Sequence, residues 1–427
     1  MNFRMSKHKK FSIKTFGCKV NQYESQLMRE DFVRSGFEEC GAGDAPDLFI
    51  INSCTVTDNA DKDVRYSIRR ARRMIPGVRI VVTGCYAEND EAEIAALPGV
   101  TKIVKNADKS RIASILNDTR STINDTRIIS DFKNHTKAFV KIQGGCENFC
   151  SYCKVPYVRG PFRSRPLREI VEETGLLVSK GFKEIILTGI CLGAWGIEKK
   201  KNVCEVVTAL QAVNGDFRIR LSSIEPKYVT DELIGLMASD ENICRHFHIP
   251  LQSGDDRILA RMNRPYGRDD FRTLVEKIRS DVEGAAITTD VIIGFPGEEE
   301  ENFRNTFDLI GKMMPARTHI FTYSRRKGTA AFDMNGGCAK EVLKKRFLEL
   351  EGAASSASFL FRRQFLGKAL NILVETRRDR ASGLLTGYSD NYIKVIFRGP
   401  DSLMNTIASV NIEDVALNTT TGRYDGN

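Results

Sequence analysis

The first third of the chain alternates short apolar runs with segments in which apolar residues recur at helical spacing. Strands are predicted in FSIKTF, LFIIN and VRIVVT, and helices are predicted over residues 22–35, 59–74 and 90–97. Alternation of this kind is typical of right-handed βαβ units that build an open parallel α/β sheet. The ligands of such sheets bind at the carboxyl ends of the strands.

The alternation resumes at residue 138 and continues to residue 363. Strands are predicted in AFVKIQ, EIILT, FRIRL, HFHIP, AITTDVII and THIFT. Helices are predicted among and after them, including residues 168–179, 268–281, 300–313 and 340–363. This succession of six βα units indicates a partial (β/α)6 barrel, whose active site would lie at the C-terminal ends of its strands.

The last sixty or so residues change to an apolar period of two, in ALNILVE, TGYSDNYIKVIF and SVNIEDVAL, with turn-forming residues between them. This pattern predicts a small antiparallel β-barrel, a class that often binds nucleic acid. A polar segment in which NDTR occurs twice separates the first two regions and is interpreted as a linker. We therefore expect domains at residues 1–120, 137–364 and 365–427, with a linker at 121–136.

Composition and charge narrow the class of protein. The 427 residues are 41% hydrophobic and 28% charged, as in globular proteins, and the net charge of +9 permits a polyanionic partner. The sequence lacks the apolar h-region of a signal peptide and any apolar run of membrane-spanning length, so we expect a cytoplasmic protein without a membrane partner. Its 11 cysteines should then be reduced thiols. The C-terminal region carries balanced charge, so Tyr388, Tyr392 or Phe397 would have to contribute stacking to any grip on nucleic acid.

Six of the cysteines fall into two sets of three. Cys18, Cys54 and Cys85 each directly follow a predicted strand of the first sheet, so they should converge on one edge. The other set is a CxxxCxxC triplet that follows the first strand of the predicted barrel and consists of Cys146, Cys150 and Cys153. Three thiolates can hold a cubane iron-sulfur cluster and leave its fourth iron open. A redox dithiol or a zinc site with a fourth ligand remains an alternative at this point, with His248 the strand-end imidazole nearest in sequence.

The triplet, with its spacing and the aromatic Tyr152 before the last cysteine, resembles the signature of the radical S-adenosylmethionine (SAM) superfamily. Nearly the whole chain resembles the methylthiotransferase family within it, through TFGCKVNQYES, INSCTVT, VTGCYAE, YCKVPYVRGPFRSR, ILTGICLGAWG, RLSSIEP, HIPLQSGDDRILARMNRPY, TTDVIIGFPGE and HIFTYSRRKGT. In that family an N-terminal domain holds a second cluster, the middle domain is a radical SAM partial barrel, and the last is an RNA-binding TRAM domain.

The resemblance implies two [4Fe-4S] clusters and S-adenosylmethionine as cofactors. The triplet would ligate the SAM-cleaving cluster, and Cys18, Cys54 and Cys85 would ligate the auxiliary cluster, whose open iron carries the sulfur to be methylated. One SAM would donate a methyl group, and a second would supply a 5′-deoxyadenosyl radical. A radical route suits an adenine C2–H bond, which no side-chain base of ordinary pKa could deprotonate usefully. By family position the SAM contacts would be Tyr152, Gly189, Ser223, Gln252, Ser253 and Ile293.

The opening GCKVNQYES resembles the subgroup that modifies N6-threonylcarbamoyladenosine next to the anticodon of tRNA. Relatives that act on isopentenyladenosine in tRNA or on a ribosomal protein aspartate remain alternatives, and a non-catalytic zinc-stabilised RNA-binding protein is an alternative from another class. We expect a monomer that requires a flavodoxin- or ferredoxin-like electron donor and a sulfur donor. Phosphates of the substrate would be gripped by arginines that follow the cluster loop and the last barrel strand. These candidates are Arg159, Arg163, Arg165, Arg325 and Arg326.

Overall fold

The structure, a computed structural model, describes residues 9–41, 44–117, 128–132 and 135–426. The described chain forms two compact units. The first contains the chain up to Ile129 together with residues 145–148 and 153–161, and the second contains residues 130–144, 149–152 and 162 onward. Most of the predicted linker, including the second NDTR, lies outside the described residues. Among the described helices, none combines the length and the apolar content that crossing a bilayer requires.

The first unit is a parallel sheet flanked by helices, as the alternating pattern predicted. Its strands are β1 (Lys10–Thr15), β2 (Glu38–Glu39), β3 (Leu48–Ser53), β4 (Arg79–Gly84) and β5 (Val100–Val104). Its helices are α1 (Lys19–Arg34), α2 (Asp58–Met74), α3 (Cys85–Asn89), α4 (Glu91–Ala95) and α5 (Ile112–Asn117). The strands lie in the order β2-β1-β3-β4-β5, so β1, β3 and β4 are neighbours at the centre.

Burial on both faces explains the apolar runs of the central strands. Ile50 and Val81 pack into the core on one side of the sheet, whereas Ile51, Ile80 and Val82 pack into the core on the other side. Parallel strands that are covered by helices on both faces read as such runs. The helix predicted over 90–97 is instead the pair α3 and α4, and α3 begins at Cys85 directly after β4.

The second unit begins with the predicted barrel. Its strands are β6 (Ala138–Gly144), β7 (Arg163–Ser164), β8 (Glu184–Gly189), β9 (Arg218–Leu221), β10 (His246–His248), β11 (Ala286–Ile293) and β12 (Arg317–Thr322). After α6 (Val155–Arg159), which belongs to the first unit, the helices are α7 (Leu167–Ser179), α8 (Val203–Gln211), α9 (Asp231–Ser239), α10 (Asp256–Arg261), α11 (Arg268–Asp281), α12 (Glu300–Met313) and α13 (Lys340–Arg363). A sheet β7-β6-β8-β9 and a sheet β10-β11-β12 meet through bridges from Ile219 to Ile243 and from Ser223 to His248. The six predicted strands are thereby parallel members of one open barrel.

The end of the second unit is a closed five-stranded barrel in the order β13-β14-β15-β17-β16. Its strands are β13 (Ala369–Val374), β14 (Leu385–Ser389), β15 (Lys394–Arg398), β16 (Ile407–Val415) and β17 (Thr420–Arg423). Phe397 is 1% exposed and belongs to the core of this barrel, so it cannot stack on a base. Tyr392 stacks on His246 with ring centroids 4.4 Å apart, and Tyr388 stacks on Tyr392.

A buried ion cluster joins the partial barrel to the C-terminal barrel within this unit. Glu184 accepts from Nε of Arg218 at 2.7 Å and from Nε of Arg220 at 2.9 Å, and all three side chains are almost fully buried. Other guanidinium nitrogens donate to backbone carbonyls of β13 and of the end of β14, including those of Tyr388 and Ser389. Because these guanidinium nitrogens have acceptors and both arginines contact Glu184, the cluster joins the two barrels through bonded rather than isolated buried charges.

Replacing Glu184 by glutamine should lower the free energy of unfolding by about 3–5 kcal/mol, because two buried arginines lose their carboxylate. Urea denaturation measures this change. The exposed Glu276, which pairs with Arg272 on α11, is the control, and E276Q should leave stability unchanged within error. An E184Q protein as stable as the wild type would contradict the assignment.

The contribution of Glu184 to the free energy of unfolding should also depend on pH. Burial alone would raise the pKa of Glu184, but Arg220 and Arg218 hold it below the ordinary value. Since the folded pKa is the lower one, the stabilisation is complete above the unfolded carboxyl pKa of about 4.3 and is lost as the pH falls below it. The E184Q variant should therefore lose less stability than the wild type on acidification through this range.

Candidate active site

The three cysteines of the first unit lie at the carboxyl ends of its central strands, as predicted. Cys18 follows β1 and occupies the N-cap position of α1, Cys54 directly follows β3, and Cys85 follows β4 as the first residue of α3. Because β1, β3 and β4 are adjacent and parallel, three residues distant in sequence reach one edge of the sheet.

Tight backbone packing connects the three strand ends. Gly17 has φ +91°, and a Cβ placed on it would lie 2.6 Å from Sγ of Cys54. Ser53 Oγ donates to the carbonyl of Thr83 at 2.6 Å and accepts from Ala87 N at 3.3 Å, which ties the end of β3 to β4 and α3. Asn21 completes the connection, because its Nδ2 donates to the carbonyls of both Phe16 and Ser53.

The thiols lie close enough to influence one another electrostatically. The pKa of Cys54 is raised to about 11, mainly by burial and further by the charges of Cys85 and Cys18. Cys54 and Cys85 are buried, whereas Cys18 is exposed. A thiol with so high a pKa is a poor free nucleophile but is deprotonated when a metal binds it. Three thiols are brought to this edge, which is the number that a cubane cluster with one open iron requires.

A buried group of charged side chains lies beside Cys85. Arg159 donates from Nε to Cys85 Sγ at 3.1 Å and from Nη1 to Glu24 Oε1 at 2.6 Å. The other oxygen of Glu24 accepts from Lys109 Nζ at 2.6 Å. Arg159 was predicted to contact substrate phosphate, but its guanidinium is buried and all of its nitrogens are bonded within the unit. The phosphate interpretation of Arg159 is therefore replaced by an internal role.

The CxxxCxxC triplet occupies the loop between β6 and α6, directly after a barrel strand, as the sequence predicted. Cys146 and Cys153 belong to the first unit, where Cys146 N donates to the carbonyl of Gly160 at 2.9 Å. Cys150 belongs to the second unit, where it meets a second buried arginine. Arg264 donates from Nη1 to Cys150 Sγ at 3.1 Å and pairs with Glu225.

The residues predicted to contact SAM divide into two groups. Tyr152, Gly189 and Gln252 are half-buried at strand ends or in the triplet loop, and Ser223 is exposed after β9. Their roles remain predictions.

The other two predicted SAM contacts lie inside the fold. Ile293 is 1% exposed and packs as a core residue at the end of β11. Ser253 is also buried, and its Oγ lies 3.4 Å from Oγ1 of Thr306 on α12. The roles of these two residues also remain predictions.

The other arginines that were predicted to contact substrate phosphates differ in how far they are buried. Arg163 and Arg325 are exposed, whereas Arg326 is buried. Arg165 donates to Glu169 and to the fully buried Glu173 on α7, so its charge is neutralised within the fold. Among the predicted phosphate contacts, Arg163 and Arg325 thus keep the exposure that the role requires.

A polar group that the sequence did not reveal lies on one face of β10, β11 and β12. The register pairs Asp290 with His319, and the ligand atoms of His248, Asp290 and His319 all lie within 4.8 Å of one another. Nδ1 of His248 is 2.8 Å from Thr288 Oγ1, and its Nε2 is 3.1 Å from Asp290 Oδ2. The opposite face carries fully buried apolar side chains such as Phe247.

The group of His248, Asp290 and His319 helps to decide whether the cysteines bind zinc instead of iron-sulfur clusters. Within the described part of the chain, no cysteine belongs to a group of metal-ligating atoms as close as this one. A tetrahedral zinc ion binds thiolates at about 2.3 Å and needs them close together, whereas the separate irons of a cubane spread them apart. His248 is bonded to Thr288 and Asp290, so the geometry disfavours it as the fourth zinc ligand.

If Cys18, Cys54 and Cys85 hold a cluster, as the resemblance implies, Gly17→Ala should remove it, because the added Cβ would overlap Cys54. We expect the variant to bind about half the iron of the wild type after anaerobic reconstitution. Gly36→Ala is the matched control, since Gly36 shares a positive φ of +84° but has nothing within 4 Å of the added Cβ. That control should lose only the conformational cost of about 1–2 kcal/mol and keep its iron. Full iron content in Gly17→Ala would refute the tight packing at Cys54.

Comparison with known proteins places this geometry in a family. Residues 10–105 match the model described as "Uncharacterized protein family UPF0004", and residues 140–310 match that of the Radical SAM superfamily. The second match implies S-adenosylmethionine and a [4Fe-4S] cluster. Among solved structures, the radical S-adenosylmethionine methyltransferase TsrM from Kitasatospora setae superposes with a TM-score of 0.57 at 16% identity, covering 76% of this chain and 77% of that one. This likeness concerns the fold alone.

Curated relatives cover almost the full length. The threonylcarbamoyladenosine tRNA methylthiotransferase MtaB of Bacillus subtilis is 37% identical over 93% of this chain and 92% of its own, and that of Thermotoga maritima is 36% identical over 91% of each. The tRNA-2-methylthio-N(6)-dimethylallyladenosine synthase of Fusobacterium nucleatum is 33% identical over 95% of this chain and 97% of its own. With its two matched domains, its strand-end cysteines and these relatives, the chain belongs to the radical SAM methylthiotransferase family.

Proposed function

We propose that the protein adds a methylthio group to C2 of N6-threonylcarbamoyladenosine next to the anticodon of tRNA, using S-adenosylmethionine and two [4Fe-4S] clusters. The observation that carries the proposal is the meeting of three thiols at one sheet edge, in addition to the triplet that the superfamily requires. The relatives with the higher identities are threonylcarbamoyladenosine enzymes, which supports this substrate over dimethylallyladenosine.

The residues of the chain would divide the work between the two sites. Cys146, Cys150 and Cys153 would hold the SAM-cleaving cluster, and the three strand-end cysteines of the first unit would hold the auxiliary one. When bound, the first cluster would supply the electron that cleaves SAM to a radical able to abstract hydrogen, and the auxiliary cluster would supply a sulfur that can be methylated. Tyr152 packs beside a cluster of apolar residues that includes Ile258 and Phe295, and this packing would help to exclude water from the triplet loop.

The polar face of the barrel supports threonylcarbamoyladenosine over dimethylallyladenosine as the substrate base. Threonylcarbamoyl carries a carboxylate, a hydroxyl and amide groups, whereas dimethylallyl is apolar. His248, Asp290 and His319 are half-buried and present imidazole and carboxylate groups on one face, where His248 is bonded to the buried Thr288. An imidazole such as that of His319 can bond a group of the polar substituent, whereas the apolar substituent offers it no hydrogen-bond partner.

The proposal also includes the compartment, the oligomeric state and the partners of the protein. The protein would work in the cytoplasm as a monomer, with tRNA as its macromolecular substrate. A flavodoxin- or ferredoxin-like protein would supply the electron, and a separate donor would restore the transferred sulfur. Arg163 and Arg325, which are exposed, would contact tRNA phosphates.

Mass spectrometry of tRNA nucleosides from cells with and without the gene tests the proposal. Deletion should remove the methylthio mass from threonylcarbamoyladenosine, and the wild-type gene but not a Cys85→Ala gene should restore it. Loss of the methylthio mass from isopentenyladenosine instead, or from a ribosomal protein aspartate, would refute the proposed substrate. Unchanged tRNA and ribosomal protein would refute the proposed activity.

His319→Leu should weaken recognition of the polar base. Loss of one hydrogen bond to a charged group should raise the KM for a threonylcarbamoyladenosine-containing tRNA about tenfold, equivalent to about 1.4 kcal/mol, and should leave the KM for SAM near its wild-type value. Steady-state kinetics with purified enzyme measures both constants. Equal changes in the two KM values would argue that the histidine serves the cofactor or the fold.

A further inference from the structure

The guanidinium of Arg159 is fully engaged inside the first unit. Its Nε donates to Cys85 Sγ at 3.1 Å, its Nη1 to Glu24 Oε1 at 2.6 Å, and its Nη2 to Asn21 Oδ1 at 2.5 Å. Asn21 is itself held by the ends of β1 and β3, so the planar fork has a fixed orientation. The N–H group that reaches the sulfur is therefore positioned by the same residues that position the strand ends.

The charges of this buried group do not cancel. Arg159 and Lys109 share one carboxylate, that of Glu24, and all three side chains are less than a tenth exposed. An arginine is not deprotonated in proteins, so the guanidinium of Arg159 keeps its charge although it is buried. One positive charge is left beside the thiols when all three groups are ionised.

A positive charge and an N–H donor at a ligating sulfur have a defined effect on a cluster. Reduction adds an electron to a centre that is already anionic through its thiolates. A buried cation stabilises the more negative state, and hydrogen bonds to cluster sulfurs are among the factors that set the potential. In the second unit, Arg264 makes the corresponding contact to Cys150 and pairs with Glu225, so each set of cysteines has one sulfur that accepts from a buried arginine.

We propose that Arg159 is a positioning residue for the auxiliary site: it fixes the sulfur of Cys85 and raises the reduction potential of the cluster that Cys18, Cys54 and Cys85 hold. This inference rests on the part of the proposed function that assigns a cluster to these cysteines. It concerns neither the tRNA substrate nor the transfer step. Glu24 and Asn21 serve Arg159 as its anchors, and Lys109 balances Glu24.

The test uses the full-length chain with Cys146, Cys150 and Cys153 replaced by alanine, so that only the auxiliary cluster remains. Potentiometric titration followed by electron paramagnetic resonance compares Arg159→Met, Arg159→Lys and the parent. Arg159→Met should make the reduction potential more negative by at least 59 mV, which corresponds to a tenfold change in the equilibrium constant of a one-electron couple. Arg159→Lys keeps the charge and should recover part of the shift.

Two further variants make the test decisive. Arg111→Met removes a guanidinium that pairs with Asp108 on the surface of the same unit, and it should leave the potential unchanged. Glu24→Gln removes the only carboxylate of the buried group and keeps Arg159, so it should shift the potential in the opposite, positive direction. If Arg159→Met fails to fold, Arg159→Lys and Glu24→Gln give the answer.

The outcomes separate this inference from the proposed function. A parent protein without any cluster at Cys18, Cys54 and Cys85 would overturn the proposed chemistry and the inference together. A parent with a cluster whose potential is the same in Arg159→Met and Glu24→Gln would overturn the inference alone. Opposite shifts in those two variants would support it.

Discussion

The convergence of β1, β3 and β4 at one sheet edge is the constraint on which the rest of the structure depends. Parallel strands bring their carboxyl ends together, and in this chain a cysteine follows each of the three central strands. Gly17 allows the first strand end to approach Cys54, and Ser53 and Asn21 bond the ends to one another. Backbone topology alone thus brings to one edge the three cysteines that we propose as ligands of the auxiliary cluster.

Buried charge is the second organising feature. Burying an arginine is costly unless its donors are bonded and its charge is compensated at least in part. In both units two buried cations share a single carboxylate, and other acceptors bond the guanidinium nitrogens. In the second unit, Glu184 serves two arginines and the remaining donors reach carbonyls of the C-terminal barrel. In the first unit the spare N–H of Arg159 reaches a cysteine sulfur instead of a carbonyl. The same requirement for bonded donors is therefore met between the two barrels of the second unit and beside Cys85 in the first unit.

Much of this organisation could be predicted from the sequence. Strand and helix periods predicted the parallel sheet, the partial barrel and a small C-terminal barrel, and α11, α12 and α13 have the predicted bounds. The C-terminal barrel was expected to be antiparallel, but its β15–β17 pair is parallel. β5 and β17 were not predicted, because half-polar VTKIV and the glycine-containing TTGR lack a clear apolar period. The destinations of Arg159 and Arg165 could not be predicted either. An arginine looks the same in sequence whether it meets a phosphate or a distant glutamate, and Glu24 lies 135 residues from Arg159. The His248, Asp290 and His319 group likewise depends on strand register, which a single sequence does not reveal.

The central claim is that two separate sets of three thiols each hold a cluster. Iron and sulfide content, with Mössbauer spectra, should be measured for the anaerobically reconstituted wild type and for two variants that each replace one set by alanine. The account predicts about eight iron atoms per chain in the wild type and about four in each variant, all in cubane signals. A wild type with about four iron atoms, or a variant lacking Cys18, Cys54 and Cys85 that still binds about eight, would contradict it.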